Sequence, residues 1–115
     1  MKPVEYAHVD VFTDTVLEGN GLAVVFCDRF LDGARMLDLA REFKQFETVF
    51  VTGIESGEVS ARIFTMDGEL PFAGHPLLGA AAALHERHAP QQERLSLTFR
   101  LTEKQVPVVS ERTRT

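Results

Sequence analysis

The stretch LPFAGHPLLGAAAALHER, residues 70–87, decides how the rest of the chain must fold. Its first half places Gly, His and Pro in a row, and its second half is a run of Ala and Leu without a formal charge before Glu86. Pro76 is predicted as the first helical residue, because the amide hydrogen that proline lacks has no acceptor in a first turn. An Ala-rich helix with so few charges is stable only when most of its sides are buried. The sequence therefore predicts one buried helix with the remaining elements packed around it.

The segments on both sides of this helix are predicted to be strands or a second helix. Strand periodicity or continuous β-branched and aromatic runs mark residues 6–13, 22–27, 47–53, 59–65 and 95–101. The short run 106–109 could add another strand. A second helix is predicted from Asp32, as its N-cap, to about Lys44. Together these elements predict an α+β domain in which a curled, mixed or antiparallel sheet is wrapped around a central Ala-rich helix.

The composition indicates one ordinary folded domain. The chain has 115 residues, 44% of them hydrophobic and 25% charged, and this length predicts a single domain over residues 1–115. A net charge of −5 argues against broad binding to nucleic acid or to an anionic membrane surface. No apolar run approaches the roughly 20 residues that cross a bilayer. The single cysteine, Cys27, cannot form an internal disulfide, which favours a reducing, cytoplasmic compartment.

Gly74 and His75 precede the predicted helix, and two interpretations of them are open. The first amides of a helix lack internal acceptors and lie at the positive end of its dipole, so they bind carboxylate or phosphate well. Gly74 would let such a ligand approach the backbone, and His75 could donate a hydrogen bond or a proton. Alternatively, the two residues form a tight turn in which His75 caps the helix.

Glu47 and Asn20 are the other candidate site residues, and each also has a plainer interpretation. Glu47 opens an apolar strand, where burial would suit a general acid or base, but it could equally be a surface carboxylate paired with Lys44 or Arg41. Asn20, between two glycines, is predicted in a turn over residues 18–21 and could present its side chain to a ligand.

The histidines near the end of the Ala-rich helix do not have the spacing of a metal site. His85 and His88 are three residues apart, whereas the H-E-x-x-H zinc motif needs a spacing of four, and no third ligand is evident. No metal is therefore predicted, and both histidines are expected to be solvated residues at the helix end, where they complement its dipole.

Three long stretches, in this order, resemble the phenazine-biosynthesis F-type (PhzF-like) family of isomerases and epimerases. They are HVDVFTDTVLEGNGLAVVF at residues 8–26, LAREFKQFETVFV at 39–51 and ARIFTMDGELPFAGHPLLGAA at 61–81. The resemblance extends from Tyr6 to about Leu101, and several ordered motifs are far more specific than any one of them. It implies the diaminopimelate-epimerase fold, in which two similar domains, each a sheet around a central helix, enclose an active site in the cleft between them.

The resemblance also implies roles for individual residues. Glu47 stands where the family has its acid/base glutamate, and Asn20, Gly74 and His75 stand in its substrate-binding motifs. The family uses no metal or organic cofactor, and a carboxylic acid moves a proton between positions of a small carboxylate substrate. Two positions depart from the family pattern, because Gly21 replaces a proline and Phe46 replaces a serine before the glutamate.

The length of the chain corresponds to the N-terminal half of such a protein. The resemblance therefore implies that a homodimer or a separate chain completes the cleft and supplies the opposing acid. Two alternatives are a catalytically silent binding or partner subunit, and a one-domain fragment of a longer isomerase.

Overall fold

The computed structural model describes residues 5–11, 20–27, 29–30, 32–43 and 47–111. In these ranges the chain forms the strands β1 (Glu5–Val11), β2 (Asn20–Phe26), β3 (Glu47–Val51), β4 (Glu58–Thr65), β5 (Gly68–Leu70), β6 (Arg94–Arg100) and β7 (Gln105–Glu111). Its helices are α1 (Gly33–Phe43) and α2 (Gly74–His88). In the described part of the chain, neither helix is long and apolar enough to span a membrane.

The described strands form one mixed sheet that curls around α2. Their order is β1-β2-β3-β4-β6-β7, with β5 paired to the end of β4. The pairs β2–β3 and β4–β6 are parallel, and the other pairs are antiparallel. Helix α2 contacts β1 and β2 at one edge of the sheet and β6 and β7 at the other. Because both outermost strands contact the same helix, the sheet must wrap around it, and the predicted α+β fold class is confirmed.

The sheet buries a hydrophobic core on each face. On one face of the sheet, the register partners Val24 and Val49 pack with α2. On the other face, their neighbours Val25 and Phe50 pack with Met36 of α1. A strand that is covered on both faces needs apolar residues at every position. This explains why β2 and β3 appear in the sequence as continuous apolar runs and not as alternating ones.

The two helix starts test the predictions made from capping chemistry. Asp32 caps α1 as predicted, because its Oδ1 atom accepts a hydrogen bond from the Arg35 amide at 3.0 Å. Helix α2 begins at Gly74, after Ala73 in an extended conformation, so the prediction that Pro76 is its first residue was wrong by two positions. Proline is tolerated at the third position because first-turn amides have no acceptor within the helix.

The prediction of a turn over residues 18–21 was wrong for the last two residues, which lie in a strand. Asn20 and Gly21 are the first residues of β2 and pair with Val11 and Asp10 of β1. The antiparallel register continues through them, so pairing in the sheet overrides the turn preference of Asn and Gly. Residues 18 and 19 lie outside the described residues.

His85 is buried, which contradicts the prediction that it is solvated. Its side chain is 3% exposed, with Nε2 2.7 Å from the Gln92 carbonyl oxygen and Nδ1 2.8 Å from Ser110 Oγ. A carbonyl oxygen only accepts, so Nε2 carries a hydrogen, and in the neutral ring Nδ1 accepts from the Ser110 hydroxyl. The ring is enclosed because β7 and the loop before β6 close over the end of α2. His88, by contrast, is exposed as predicted.

Candidate functional site

Asn20 and Glu47 open two neighbouring parallel strands. Leu22 is the register partner of Glu47, so Asn20 lies two residues before that pair. With a strand spacing of about 4.8 Å and a rise of about 3.3 Å per residue, the Cα atoms of Asn20 and Glu47 are about 8 Å apart. We call this side of the sheet, where β2 and β3 begin, the Glu47 end.

Helix α2 runs away from the Glu47 end. Its C-terminal turn is tied through His85 to Ser110, and Ser110 pairs with Leu95 at the start of β6. Strand β6 is parallel to β4, which is antiparallel to β3, so β6 starts at the side of the sheet opposite Glu47. The helix therefore runs in the same direction as β2 and β3, and its first residues, Gly74 and His75, lie towards the Glu47 end.

Glu47 is a buried carboxylate at the end of an apolar strand. Its side chain is 7% exposed, and by strand alternation it lies on the same face as Val49, which packs with α2. Its register partner Leu22 is also buried. This burial contradicts the alternative in which Glu47 is a surface carboxylate. Arg41, one partner considered for it, instead donates a hydrogen bond from Nε to the Met66 carbonyl at 2.9 Å.

Gly74 leaves open space in front of the first turn of α2. It is exposed, and an added Cβ there would meet no atom of the described residues within 4 Å. The preceding residue, Ala73, provides no side-chain cap, and the first turn contains no acidic residue. His75 is the second residue of α2, but its side chain lies outside the described part of the structure, so its role as a cap or as a ligand-binding group stays a prediction.

Exposed apolar side chains lie around this end of the fold. Met66, in the turn between β4 and β5, is 48% exposed, Phe72 is 43% exposed and Leu78 is 41% exposed. Met66 follows the end of β4, which pairs with the start of β3, and Phe72 and Leu78 flank the start of α2. Each of these three side chains exposes apolar surface near the start of β3 or of α2, which a ligand or another protein could cover.

Lys104 lies beside Phe72, ahead of the start of α2, and the sequence did not single it out. It lies in the turn between β6 and β7, and its Nζ atom is 4.2 Å from the centroid of the Phe72 ring. No short motif links these two residues, since they meet only because β6 and β7 pack beside the segment that leads into α2. Among the described residues, no group of three or more His, Cys, Asp or Glu is arranged to hold a metal ion.

Comparison with known proteins identifies relatives of most of this chain. Residues 9–115 match the family described as phenazine biosynthesis-like protein. An uncharacterized isomerase of Mesorhizobium japonicum is 48% identical over 88 residues, which is 75% of this chain and 29% of that protein. A trans-2,3-dihydro-3-hydroxyanthranilate isomerase of Pseudomonas aeruginosa is 49% identical over 81 residues, which is 69% of this chain and 29% of that protein. The chain thus spans less than a third of the length of these relatives.

Solved structures share the fold as well as the sequence. A structure described as a predicted epimerase from Pseudomonas aeruginosa superposes with a TM-score of 0.84 at 45% identity, covering 94% of this chain and 38% of that one. A PhzF-family phenazine biosynthesis protein from Enterococcus faecalis superposes with a TM-score of 0.77 at 29% identity, covering 92% and 40%. Sequence and fold agree, and the chain belongs to the phenazine biosynthesis-like family.

Proposed function

We propose that this chain is one half of an isomerase or epimerase that moves a proton on a small carboxylate metabolite without a cofactor, with Glu47 as the group that carries the proton. The observation that carries the proposal is the position of Glu47, which is buried and yet stands at the end of the sheet towards which α2 begins. The names of the relatives, which include isomerases, support the same reaction class.

The proposed reaction needs only one group that both accepts and donates a proton. The Glu47 carboxylate takes a proton from a carbon of the substrate, and the electron pair left behind is delocalised into the adjacent unsaturation. The carboxylic acid exchanges its O–H hydrogen with solvent while the intermediate lasts and then delivers a proton to another carbon, so the product is an isomer of the substrate that carries solvent hydrogen. In this proposal Asn20, Gly74 and His75 bind the substrate, because the first amides of a helix are suited to receive an anionic group.

The proposal includes a second half that covers the Glu47 end. Residues 1–115 would correspond to the N-terminal domain of a two-domain protein, and the relatives are long enough to hold such a second domain. The exposed side chains of Met66, Phe72 and Leu78 support a covering partner on this side. A second copy of the chain or a separate chain could provide it, and an isologous dimer would bring the two Glu47 residues towards one pocket. The cytoplasmic location stays a prediction.

Proton transfer is tested by isotope exchange in the intact protein. The wild type is incubated in D₂O with trans-2,3-dihydro-3-hydroxyanthranilate, the compound named for one relative, and deuterium incorporation is followed by mass spectrometry. We expect Glu47→Gln to abolish incorporation, while Glu42→Gln, which removes an exposed carboxylate of α1, leaves it unchanged.

The same assay separates the alternatives. Incorporation that persists in Glu47→Gln would remove Glu47 from the mechanism. A wild type that binds the compound without any exchange would instead support a catalytically silent binding subunit. If two copies form the site, the exchange rate per chain falls on dilution, whereas a site within one chain gives a rate that is independent of concentration.

A further inference from the structure

We propose that Lys104 binds the carboxylate group of the substrate, with its ammonium group held beside the start of α2 by the ring of Phe72. This inference rests on the proposed function, because it assigns a binding residue for the carboxylate substrate of that reaction. It adds a site residue from the turn between β6 and β7, a part of the chain to which the sequence motifs assign no role.

The position of Lys104 is fixed by two contacts. The Leu101 amide donates a hydrogen bond to the Lys104 carbonyl at 2.8 Å, which closes the turn between β6 and β7. The Nζ atom lies 4.2 Å from the centroid of the Phe72 ring, a distance at which the ring attracts a cation. Phe72 precedes Gly74 by two residues, so the ammonium group stands next to the segment that leads into α2.

The charges of the described residues make Lys104 the suitable partner for an anion that binds beside the start of α2. A carboxylate substrate that approaches Glu47 in a protein with a net charge of −5 needs a nearby positive charge. Arg62 cannot easily supply it, because Nε and Nη2 of its guanidinium donate to the two carboxylate oxygens of Glu69. By strand alternation Arg62 also lies on the same face as Phe64, which packs with α1 and not with α2.

Arg41 is also engaged away from the α2 face. It belongs to α1, and its Nε donates to the Met66 carbonyl. In the described part of the structure Lys104 makes no ion pair with a carboxylate, so its three ammonium hydrogens are available on the α2 side of the sheet. An ammonium group that rests on an aromatic face can rotate about its flexible stem to meet a carboxylate oxygen.

A charge-specific binding experiment on the intact protein tests this role. Anthranilate and its neutral counterpart anthranilamide are titrated separately by calorimetry at low ionic strength. The variants are Lys104→Met, which keeps an apolar stem over Phe72, and Lys104→Arg, which keeps the charge. Arg94→Met is the matched control, since it removes one cation from the start of β6, at the side of the sheet opposite Glu47, where Arg94 pairs with Glu111.

We expect the wild type to bind anthranilate about tenfold more tightly than anthranilamide, the value of one charge-assisted hydrogen bond. Lys104→Met should lose most of that preference, whereas Lys104→Arg and Arg94→Met should keep it. Equal binding of the two compounds by the wild type would overturn the assignment. An equal loss of affinity for both compounds in Lys104→Met would also overturn the assignment. A turn that merely packs on Phe72 does not distinguish a carboxylate from an amide.

The binding experiment does not depend on catalysis. Glu47→Gln should leave the preference of the protein for anthranilate intact or increase it, since it removes a negative charge. Failure of deuterium exchange in the wild type would refute the proposed function, even if Lys104 binds the carboxylate. Absence of the carboxylate preference in the wild type, together with normal exchange, would refute the role of Lys104 alone.

Discussion

Replacement of His85 by leucine should destabilise the protein more than any single change on its surface. The imidazole joins three separate segments, because it belongs to α2 and hydrogen-bonds the Gln92 carbonyl before β6 and the Ser110 hydroxyl of β7. Leucine has a similar volume and can fill the space, but it can make neither hydrogen bond. The change in the free energy of unfolding therefore measures what the two hydrogen bonds of His85 contribute, separately from the packing of its ring.

The expected magnitude follows from the two groups left behind. A buried polar group without a partner costs about 1–3 kcal/mol. Ser110 is half-buried and Gln92 is exposed, so water can reach both in part, and about 1 kcal/mol for each is the appropriate value. The free energy of unfolding should then fall by about 2 kcal/mol, which at about 4 °C per kcal/mol lowers the Tm by about 8 °C for a chain of this size.

Urea denaturation of the intact protein measures this change, with two further variants as controls. Ser110→Ala should cost about 1 kcal/mol, and the double variant should be more stable than the sum of the single losses predicts, because both remove the same hydrogen bond. His88→Leu changes an exposed histidine on the same turn and should stay within about 0.5 kcal/mol of the wild type. A loss in His85→Leu no larger than in His88→Leu would refute the reasoning.

Two smaller predictions concern the backbone and are checked by the same denaturation experiments. Asp32→Ala removes the acceptor of the Arg35 amide and should cost about 1 kcal/mol, whereas Asp38→Ala, in the middle of α1, should cost little; equal effects would contradict the capping role. Gly57→Ala places a side chain at a φ of 78° and should lower the free energy of unfolding by about 1 kcal/mol, although the new Cβ has room. The control Gly53→Ala should be near neutral, because φ at Gly53 is not in the left-handed region. A neutral Gly57→Ala would show that this turn relaxes to another conformation.

Six of the seven described strands and the central helix could be predicted because their signals are local, whereas the three-residue strand β5 was not predicted. The continuous apolar run of β2 and the alternation of Leu95, Leu97 and Phe99 in β6 each reflect which faces of one strand are covered. The N-cap of α1 was predicted for the same reason, since Asp32 and the amide that it accepts from are three residues apart. Such features need no knowledge of the rest of the fold.

Apart from the start of α2, which was placed two residues late at Pro76, the errors concern residues whose surroundings come from distant parts of the chain. His85 occupies a helix end, where histidine is commonly solvated, and only the return of β7 beside it produces a buried site. Asn20 and Gly21 have the preferences of turn residues, but the register with β1 keeps them in the strand. Lys104 and Phe72 are likewise brought together by the packing of β6 and β7, which no spacing in the sequence reveals.

The residues of the candidate site lie near one another because the chain returns repeatedly to the same side of the sheet. The crossover through α1 makes β3 parallel to β2, so both strands begin at the Glu47 end, as short βαβ connections require. Strand β4 then runs back to this end, and the short β5 leads from there into α2. Asn20, Glu47 and Gly74 each stand at the start of an element, which is why three motifs far apart in the sequence can belong to one site. A substitution that changed the β2–β3 register by one residue would move Glu47 to the α1 face, so the identity of the site depends on the alternating cores as much as on the motif residues.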